Sequence, residues 1–527
     1  MTSLSRTQSR PPAPSAPTAT IDIEAPRSIG FPSPDGYRIS ADGQQRAPGL
    51  TLIDRRRLTY CRRLGLASSA TIAAGGALAG ALPIRHPFAD LPGVRELRTS
   101  TLLSVFVVYV GLMMLLATWW RIGGLACRPG GPSVRELTIT AIWWAAPFAL
   151  APPIFSRDVY SYLAQGAMTR AGIDAYAVGP GALGGNLAAN VPEIWQHTPA
   201  PYGPVFLFLS GGVTELTTNG AWLGVLGMRA LAVAGVAMLV WSVPRLARSC
   251  GVAPTAALWL GVLNPLVLLH LVTDAHNDAF MLGLMSIGLV WALERRPALG
   301  VIAVALAALV KAPAGLAIAF LVSIWASQLT GRGRWARATA GTAAVAAVTT
   351  VVATALAGTG YGWVAALDTP TRAHTWLSIT TDLGYFTGTA AQWLGVASVA
   401  ETTDAWRLVG LAVAAILCGV LWRRSAQIGP VAALGLGLAA VVMLGPVVHP
   451  WYLLWGIVPL AATARSTAIR RAVAVLSAAL VLFVLPGGVE PGMPALAGAV
   501  LGTAAALVVL VAVRAPTLPT SPFPAVR

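Results

Sequence analysis

Asp158 is the residue whose type and place most invite chemistry. It sits in the pair Arg157-Asp158, directly after the apolar run AIWWAAPFALAPPIF, where an apolar chain turns polar over residues 154–204. A carboxylate at the mouth of a membrane helix is costly to desolvate, so it faces a cavity, a partner or a substrate. Held within reach of a sugar hydroxyl, it can take the proton as that oxygen attacks an anomeric carbon. The same stretch carries Tyr160, Tyr162, Tyr176, Trp195 and Tyr202. These are flat amphipathic surfaces suited to sugars and lipid headgroups. A loop of this length reads as a working site rather than a connector. The bland alternative makes Asp158 the ion-pair partner of Arg157, or the cap of a short helix over VYSYLAQGAMTRAG.

A second cluster is TDAHND, residues 273–278, which precedes a long apolar run. Capping that helix explains one of Asp274, His276, Asn277 and Asp278, not all four. The Asp/His set also has the ligand types for a divalent cation, but its spacing is nonspecific and no metal or other cofactor is expected. A phosphate leaving group needs cations. Arg229, Lys311, Arg372 and His449 are the candidates, Arg for bidentate contact and Lys as a point charge. Lys311 is the single lysine of the chain, and an ionised amine in apolar sequence needs a partner. For Arg229 and Lys311 the alternative is snorkelling or pairing with a carboxylate. HPWYLLW, residues 449–455, adds Trp451 and Tyr452 as substrate contacts, or as part of an aromatic belt.

The elements that must position these residues are membrane helices. The chain has 527 residues, 56% hydrophobic and 11% charged, which excludes an ordinary soluble enzyme. Its +16 formal charge is not a nucleic-acid patch, because the basic residues lie in short breaks between apolar runs. The four cysteines are scattered without metal spacing. Residues 1–50, rich in Pro, Ser, Thr and Arg, read as a disordered cytoplasmic tail, with no cleavable signal peptide. About fourteen spans fit an all-α polytopic protein: 64–82, 101–120, 137–155, 222–242, 255–272, 277–293, 299–310, 312–328, 338–357, 404–422, 428–447, 450–464, 470–486 and 495–514. The pair around Lys311 is short for two full spans. Run 203–219 is ambiguous; if it lies along the outer surface, most of the 36 basic residues fall in the cytoplasm, as the positive-inside rule requires. That topology puts loops 156–221 and 358–403, the TDAHND turn, the Lys311 turn and residues 445–455 on the outer side. It leaves residues 51–515 as one transmembrane domain and 516–527 as a short cytoplasmic tail.

At these residues the chain resembles a known family. SRDVYSYLAQG, GIDAYAVGP, W-x-x-TPAPYGP, LNPLVLLHL-x-x-x-x-HND and GPVVHPWYLLW occur in that order. Together they look like the polyprenol-phosphate-mannose-dependent α-(1→6)-mannosyltransferases of actinobacteria, over residues 55 to 515. The first and third blocks are the specific ones. The likeness is greater to the branch that builds the proximal mannan core of lipomannan. The resemblance implies the C-type glycosyltransferase (GT-C) fold, a plasma-membrane location and an active site on the extracytoplasmic face. It implies β-linked polyprenyl-phosphate mannose as donor, a mannosylated glycolipid as acceptor, and inversion to an α-product. Asp158 matches the family's presumed base. Arg157, Tyr160, Tyr176, Trp195, Tyr202, His276, Asn277, Asp278, Trp451 and Tyr452 are then expected around the substrates. The segment Gly172-Ile173-Asp174-Ala175-Tyr176 departs from the family pattern by lacking a proline before the tyrosine. A transporter of lipid-linked intermediates, an envelope scaffold, and the same fold with another polyprenyl-phosphate sugar are the competing readings.

Overall fold

The computed structural model describes residues 50–84, 97, 98, 100–372, 375 and 377–512. Both expected tails therefore lie outside the described residues, apart from Leu50. Every regular element among the described residues is helical. Among the described residues, five helices are long and apolar enough to cross a bilayer: Thr101–Ala126, Ala221–Ser249, Arg334–Ala357, Val399–Arg423 and Met493–Ala512. Shorter apolar helices lie between them, including Pro204–Leu216, Asp278–Leu293, Pro297–Ala308 and Pro430–Leu444. The architecture is that of an all-helical polytopic membrane protein.

Several expected spans are broken or shortened, each for a local reason. The run 255–272 divides into helix Pro254–Gly261 and a π-helical turn Val267–Thr273. Pro265 has no N–H to continue the ladder. Asn264 repairs the gap, donating to Leu260 O and Ser477 Oγ and accepting from Leu266 N. The run 299–310 is Pro297–Ala308, 12 residues, which is about 18 Å of helix against a bilayer core of about 30 Å. Ala312–Gly315 then forms a 3₁₀ turn before the 13-residue helix Leu316–Gln328. The ambiguous run 203–219 becomes Pro204–Leu216, also 13 residues, about 20 Å long. It packs on helix Asp158–Arg170 where Gly166 meets Ser210, and Ser210 Oγ donates to Tyr162 O.

Close crossings at glycine fix the longer helices. Added side chains at Gly498 and Gly502 would run into the carbonyls of Leu102 and Phe106, so helix Met493–Ala512 lies directly on Thr101–Ala126. Small residues four apart allow such backbone approach in a membrane, where lipid supplies no hydrophobic drive between helices. Trp119 and Trp259 add a reciprocal lock: each indole N–H donates to the other's carbonyl, with the rings stacked at 5.1 Å. Helix Asp278–Leu293 is held on two sides, by Gly235 and Gly283 against helix Ala221–Ser249 and by Gly288 and Gly300 against Pro297–Ala308. Its first residue, Asp278, is thereby fixed at the site described below.

Helix Asp158–Arg170 starts with a carboxylate in its first turn and ends with a cation, both favourable to the helix dipole. Gly172 stops it in a left-handed conformation, φ +72°. Gly172 N–H reaches Thr169 O and Ile173 N–H reaches Met168 O, a Schellman closure that needs glycine at this position.

Gly235→Leu should lower the melting temperature in detergent, with a loss of about 1–3 kcal/mol as expected of overpacking. Gly212→Leu, where the space is open, should leave melting unchanged. Equal melting of the two variants would contradict the crossing.

Candidate active site

Asp158 opens onto a cavity of about 640 Å³, counting the space at its mouth. One wall comes from helix Asp158–Arg170 through Asp158, Ser161 and Gln165. A second comes from the following loop through Trp195, Thr198, Pro199, Pro201 and Tyr202. A third combines Thr369, Val447, His449 and Tyr452. The residues 445–455 and the loop after residue 358 therefore meet the first polar loop, although they lie far along the chain from it.

The Asp158 side chain keeps 30% exposure, and its Oδ2 lies 3.6 Å from His276 Nδ1. Desolvation by the surrounding protein pushes its carboxyl up to about 6; Lys311 pulls the other way, while Asp278 and Asp274 add to the rise. Water admitted by the open face acts against that desolvation. His276 is fully buried. Burial first, then His270, Lys311 and His449, hold it well below the ordinary imidazole range, so it is neutral. Its Nδ1 also lies 3.1 Å from Tyr162 Oη, and its Nε2 has no hydrogen-bond partner among the described residues. A proton on Nδ1 faces the carboxylate, whereas one on Nε2 would be a buried donor without an acceptor. The geometry thus favours an Nδ1–H, with Tyr162 Oη in hydrogen-bond reach and the Asp158 carboxylate 3.6 Å away.

An aromatic stack supports this pair. The Trp451 indole lies between His276, at 4.1 Å, and His449, at 4.4 Å. His449 is pushed down to about 3, by burial first and then by Lys311 and His270, so it meets the cavity as a neutral hydrogen-bonding group. Tyr452 stacks on Trp455 at 4.5 Å.

Two of the expected phosphate contacts, Lys311 and Arg229, are engaged by protein groups. Lys311 is 11% exposed and binds both oxygens of the buried Asp278, at 2.8 and 3.0 Å. Trp455 Nε1 donates to the same carboxylate at 2.6 Å. The ammonium lies 4.5 Å from the centre of the Tyr452 ring, beside the residue that lines the cavity rather than in its lining. Arg229 is further removed. Its guanidinium donates to Val272 O at 3.2 Å, Ala149 O at 3.1 Å and Thr273 O at 2.6 Å, so its donor fork serves backbone.

Other expected contacts also turn away from the cavity. Tyr160 Oη donates to Ala81 O, and the Arg157 guanidinium lies over the Tyr160 ring with one N–H toward Leu82 O. Tyr176 acts behind the wall, donating to Tyr202 O at 3.0 Å. Asn277 is buried beside His276, with both side-chain polar atoms unpartnered among the described residues. The side chain of Arg372 lies outside the described residues; its backbone ends the 3₁₀ helix Gly362–Arg372. Trp195, Tyr202, His449 and Tyr452 do join Asp158 at the cavity. Ser161, Gln165, Thr198 and Thr369 join them without having been singled out from sequence. For the first two the signal was present, because 158, 161 and 165 share one helical face.

His270, Asp274 and His276 bring donor atoms within 4.8 Å of one another, all buried. These are cation-binding types, but the carboxylate is already engaged. Asp274 Oδ1 accepts from Ile154 N at 2.8 Å and Phe155 N at 3.0 Å, and Oδ2 lies 3.2 Å from His270 Nδ1. Asp274 therefore pins the segment that leads into Asp158.

Comparison with known proteins yields one consistent description. Residues 62–327 match the family model described as the N-terminal domain of α-(1→6)-mannopyranosyltransferase, and residues 380–514 match the MptB C-terminal domain. The chain is 33% identical to an α-(1→6)-mannopyranosyltransferase of Mycobacterium tuberculosis, over 92% of either chain. It is 33% identical to α-(1→6)-mannopyranosyltransferase B of Corynebacterium glutamicum, covering 89% of this chain and 85% of the relative. It is 35% identical to α-(1→6)-mannopyranosyltransferase A of M. tuberculosis, covering 79% and 82%. No solved structure matches.

Arg229→Met should destabilise the fold by about 3 kcal/mol or more, because buried carbonyls lose their donors, and Arg229→Lys should not restore it. Thermal melting in detergent reads this directly. Unchanged melting with a raised donor KM would return Arg229 to substrate contact.

Proposed function

The chain belongs to the α-(1→6)-mannopyranosyltransferase family and is a membrane mannosyltransferase; we propose that it moves mannose from polyprenyl-phosphate mannose to a mannosylated glycolipid. The observation that carries the mechanism is the Asp158 carboxylate, open to the cavity and faced by neutral His276. In this reading the acceptor O6–H gives its proton to an Asp158 oxygen while the O6 electron pair bonds to C1 of the donor. The bond from C1 to the phosphate oxygen breaks, and its electron pair leaves with polyprenyl phosphate. Attack from the face opposite the phosphate converts a β-linked donor into an α-(1→6) product. His276 positions the base, and His449 and Tyr452 provide the polar wall for the leaving group.

The cation for that group is Arg372 in this proposal, since Arg229 and Lys311 are already engaged. Lys311 contributes its field, softened by Asp278, rather than a contact. Residues 51–515 form one domain of the C-type glycosyltransferase class, with the cavity extracytoplasmic in the cell membrane and both tails cytoplasmic. The arginine distribution supports that sidedness.

Asp158→Asn should cut turnover on the order of a hundredfold or more, the usual weight of a general base, with melting unchanged. Near-normal activity would move the role to another group. The base works only when ionised, and its raised value sits near 6. Turnover should therefore be level above that pH and fall about tenfold per unit below it. A flat profile down to pH 4.5 would reject Asp158 as the titrating base. For topology, single cysteines at positions 245 and 334, in a chain lacking its native four, should resist an impermeant thiol reagent in intact cells. Labelling at both positions would invert the assignment.

A further inference from the structure

We propose that Ser161 and Gln165 form the subsite for the acceptor glycan, with its reducing-side sugars running along helix Asp158–Arg170 away from the base. This rests on the mechanism above and adds which wall holds which substrate. Positions 158, 161 and 165 are spaced i, i+3 and i+7, one face of the helix, and all three line the cavity. Ser161 is 5% and Gln165 3% exposed. Ser161 Oγ and Gln165 Oε1 are both buried with no hydrogen-bond partner among the described residues.

Ser69 and Ser286 are likewise buried helical serines without a partner among the described residues, but neither lines this cavity. Ser68, Ser242 and Ser477 each donate to the carbonyl four residues back, the ordinary outlet for a helical serine. Ser161 has no such bond. Two buried polar atoms left unmatched, side by side on a cavity wall, are costly unless an occupant satisfies them.

The chemistry selects a neutral polyol. A hydroxyl and an amide offer donors and acceptors but no charge, so they match sugar hydroxyls rather than a phosphate. Trp195 and Tyr202 line the same cavity from the adjoining loop and offer apolar ring surface to a pyranose. The leaving-group wall, Val447, His449 and Tyr452, belongs to a different part of the chain. Distance along the helix gives the order. Ser161 is about 4.5 Å and Gln165 about 10 Å from Asp158 along the axis. A mannose whose O6 meets Asp158 therefore has its ring at Ser161, and the next sugar lies toward Gln165.

Two-substrate kinetics on the purified full chain test this, with polyprenyl-phosphate mannose as donor and an octyl α-(1→6)-dimannoside as acceptor. Ser161→Ala and Gln165→Met, the latter keeping most of the volume, should each raise acceptor KM roughly three- to tenfold, the weight of one neutral hydrogen bond. Donor KM should stay within twofold and melting should not change. A monomannoside acceptor should lose the Gln165 effect and keep the Ser161 effect. A rise in donor KM without one in acceptor KM overturns the assignment, as does no change in either. If the wild type does not use this donor, the mechanism fails on its own. Calorimetric binding of the dimannoside to wild type and Gln165→Met then still decides the subsite, with equal affinities overturning it.

Discussion

The position of Asp158 depends on a pair of buried opposite charges that never touch the cavity. Asp274 accepts the N–H groups of Ile154 and Phe155, and Arg229 donates to the carbonyls of Ala149, Val272 and Thr273. Arg229 thus ties the end of helix Val134–Leu150 to the end of the π-helix, and Asp274, just after the π-helix, holds the segment that follows Leu150. Between them runs Pro152-Pro153-Ile154-Phe155-Ser156, a segment unable to form helix across its prolines. Its other anchors are Ala81 N–H to Pro153 O and Gly487 N–H to Ile154 O. Side-chain charges supply what secondary structure cannot, and the result sets the Asp158 carboxylate 3.6 Å from His276. The strain of this design shows at Ala275, a non-glycine residue at φ 55°, one step before His276.

Three carboxylates meet here, and their surroundings divide their work. Asp274 and Asp278 are fully buried and their oxygens are occupied by backbone N–H groups, His270, Lys311 and Trp455. Asp158 alone of the three keeps exposed surface on the cavity. A base needs a lone pair free for the substrate as well as a raised proton affinity, and the occupied pair cannot offer one. The same neighbours that brace the site also supply the charges that tune it, which is how perturbed acidity and rigid structure come to coincide at active sites.

Much of this was legible in the sequence, for a physical reason. In an apolar chain each polar residue is an exception that demands a partner, so RD-V-YSY, TDAHND and HPWYLLW stood out, and they do converge. What sequence could not tell was the kind of partner. Arg229 and Lys311 looked like phosphate ligands because a cation among apolar residues needs an anion or acceptor. The acceptors turned out to be backbone carbonyls for one and Asp278 for the other. Periodicity likewise located apolar runs but not their interruptions. The break at Lys311 was marked by its charge, whereas Asn264-Pro265 stops a helix inside a continuous apolar run. Ser161 and Gln165 went unnoticed because neither residue type is exceptional in a loop; only their register with Asp158 gives them meaning.

The breaks and the chemistry are linked. An unbroken membrane helix satisfies its own backbone and presents only side chains. A helix that stops short leaves carbonyls and N–H groups that must be paired by something else, and it creates an end where polar residues can gather. In this chain the interruptions at residues 262–266 and 309–315 lie next to the His270–Asp278 turn and to Lys311. Arg229 takes up the carbonyls of Val272 and Thr273 where the π-helix ends, and Lys311, leaving its helix at the second, finds Asp278. The shortened helices are thus the means by which a lipid-embedded fold brings a polar site to the ends of its spans. Gly235, Gly283, Gly288 and Gly300 then hold those ends in register by letting the surrounding backbones touch.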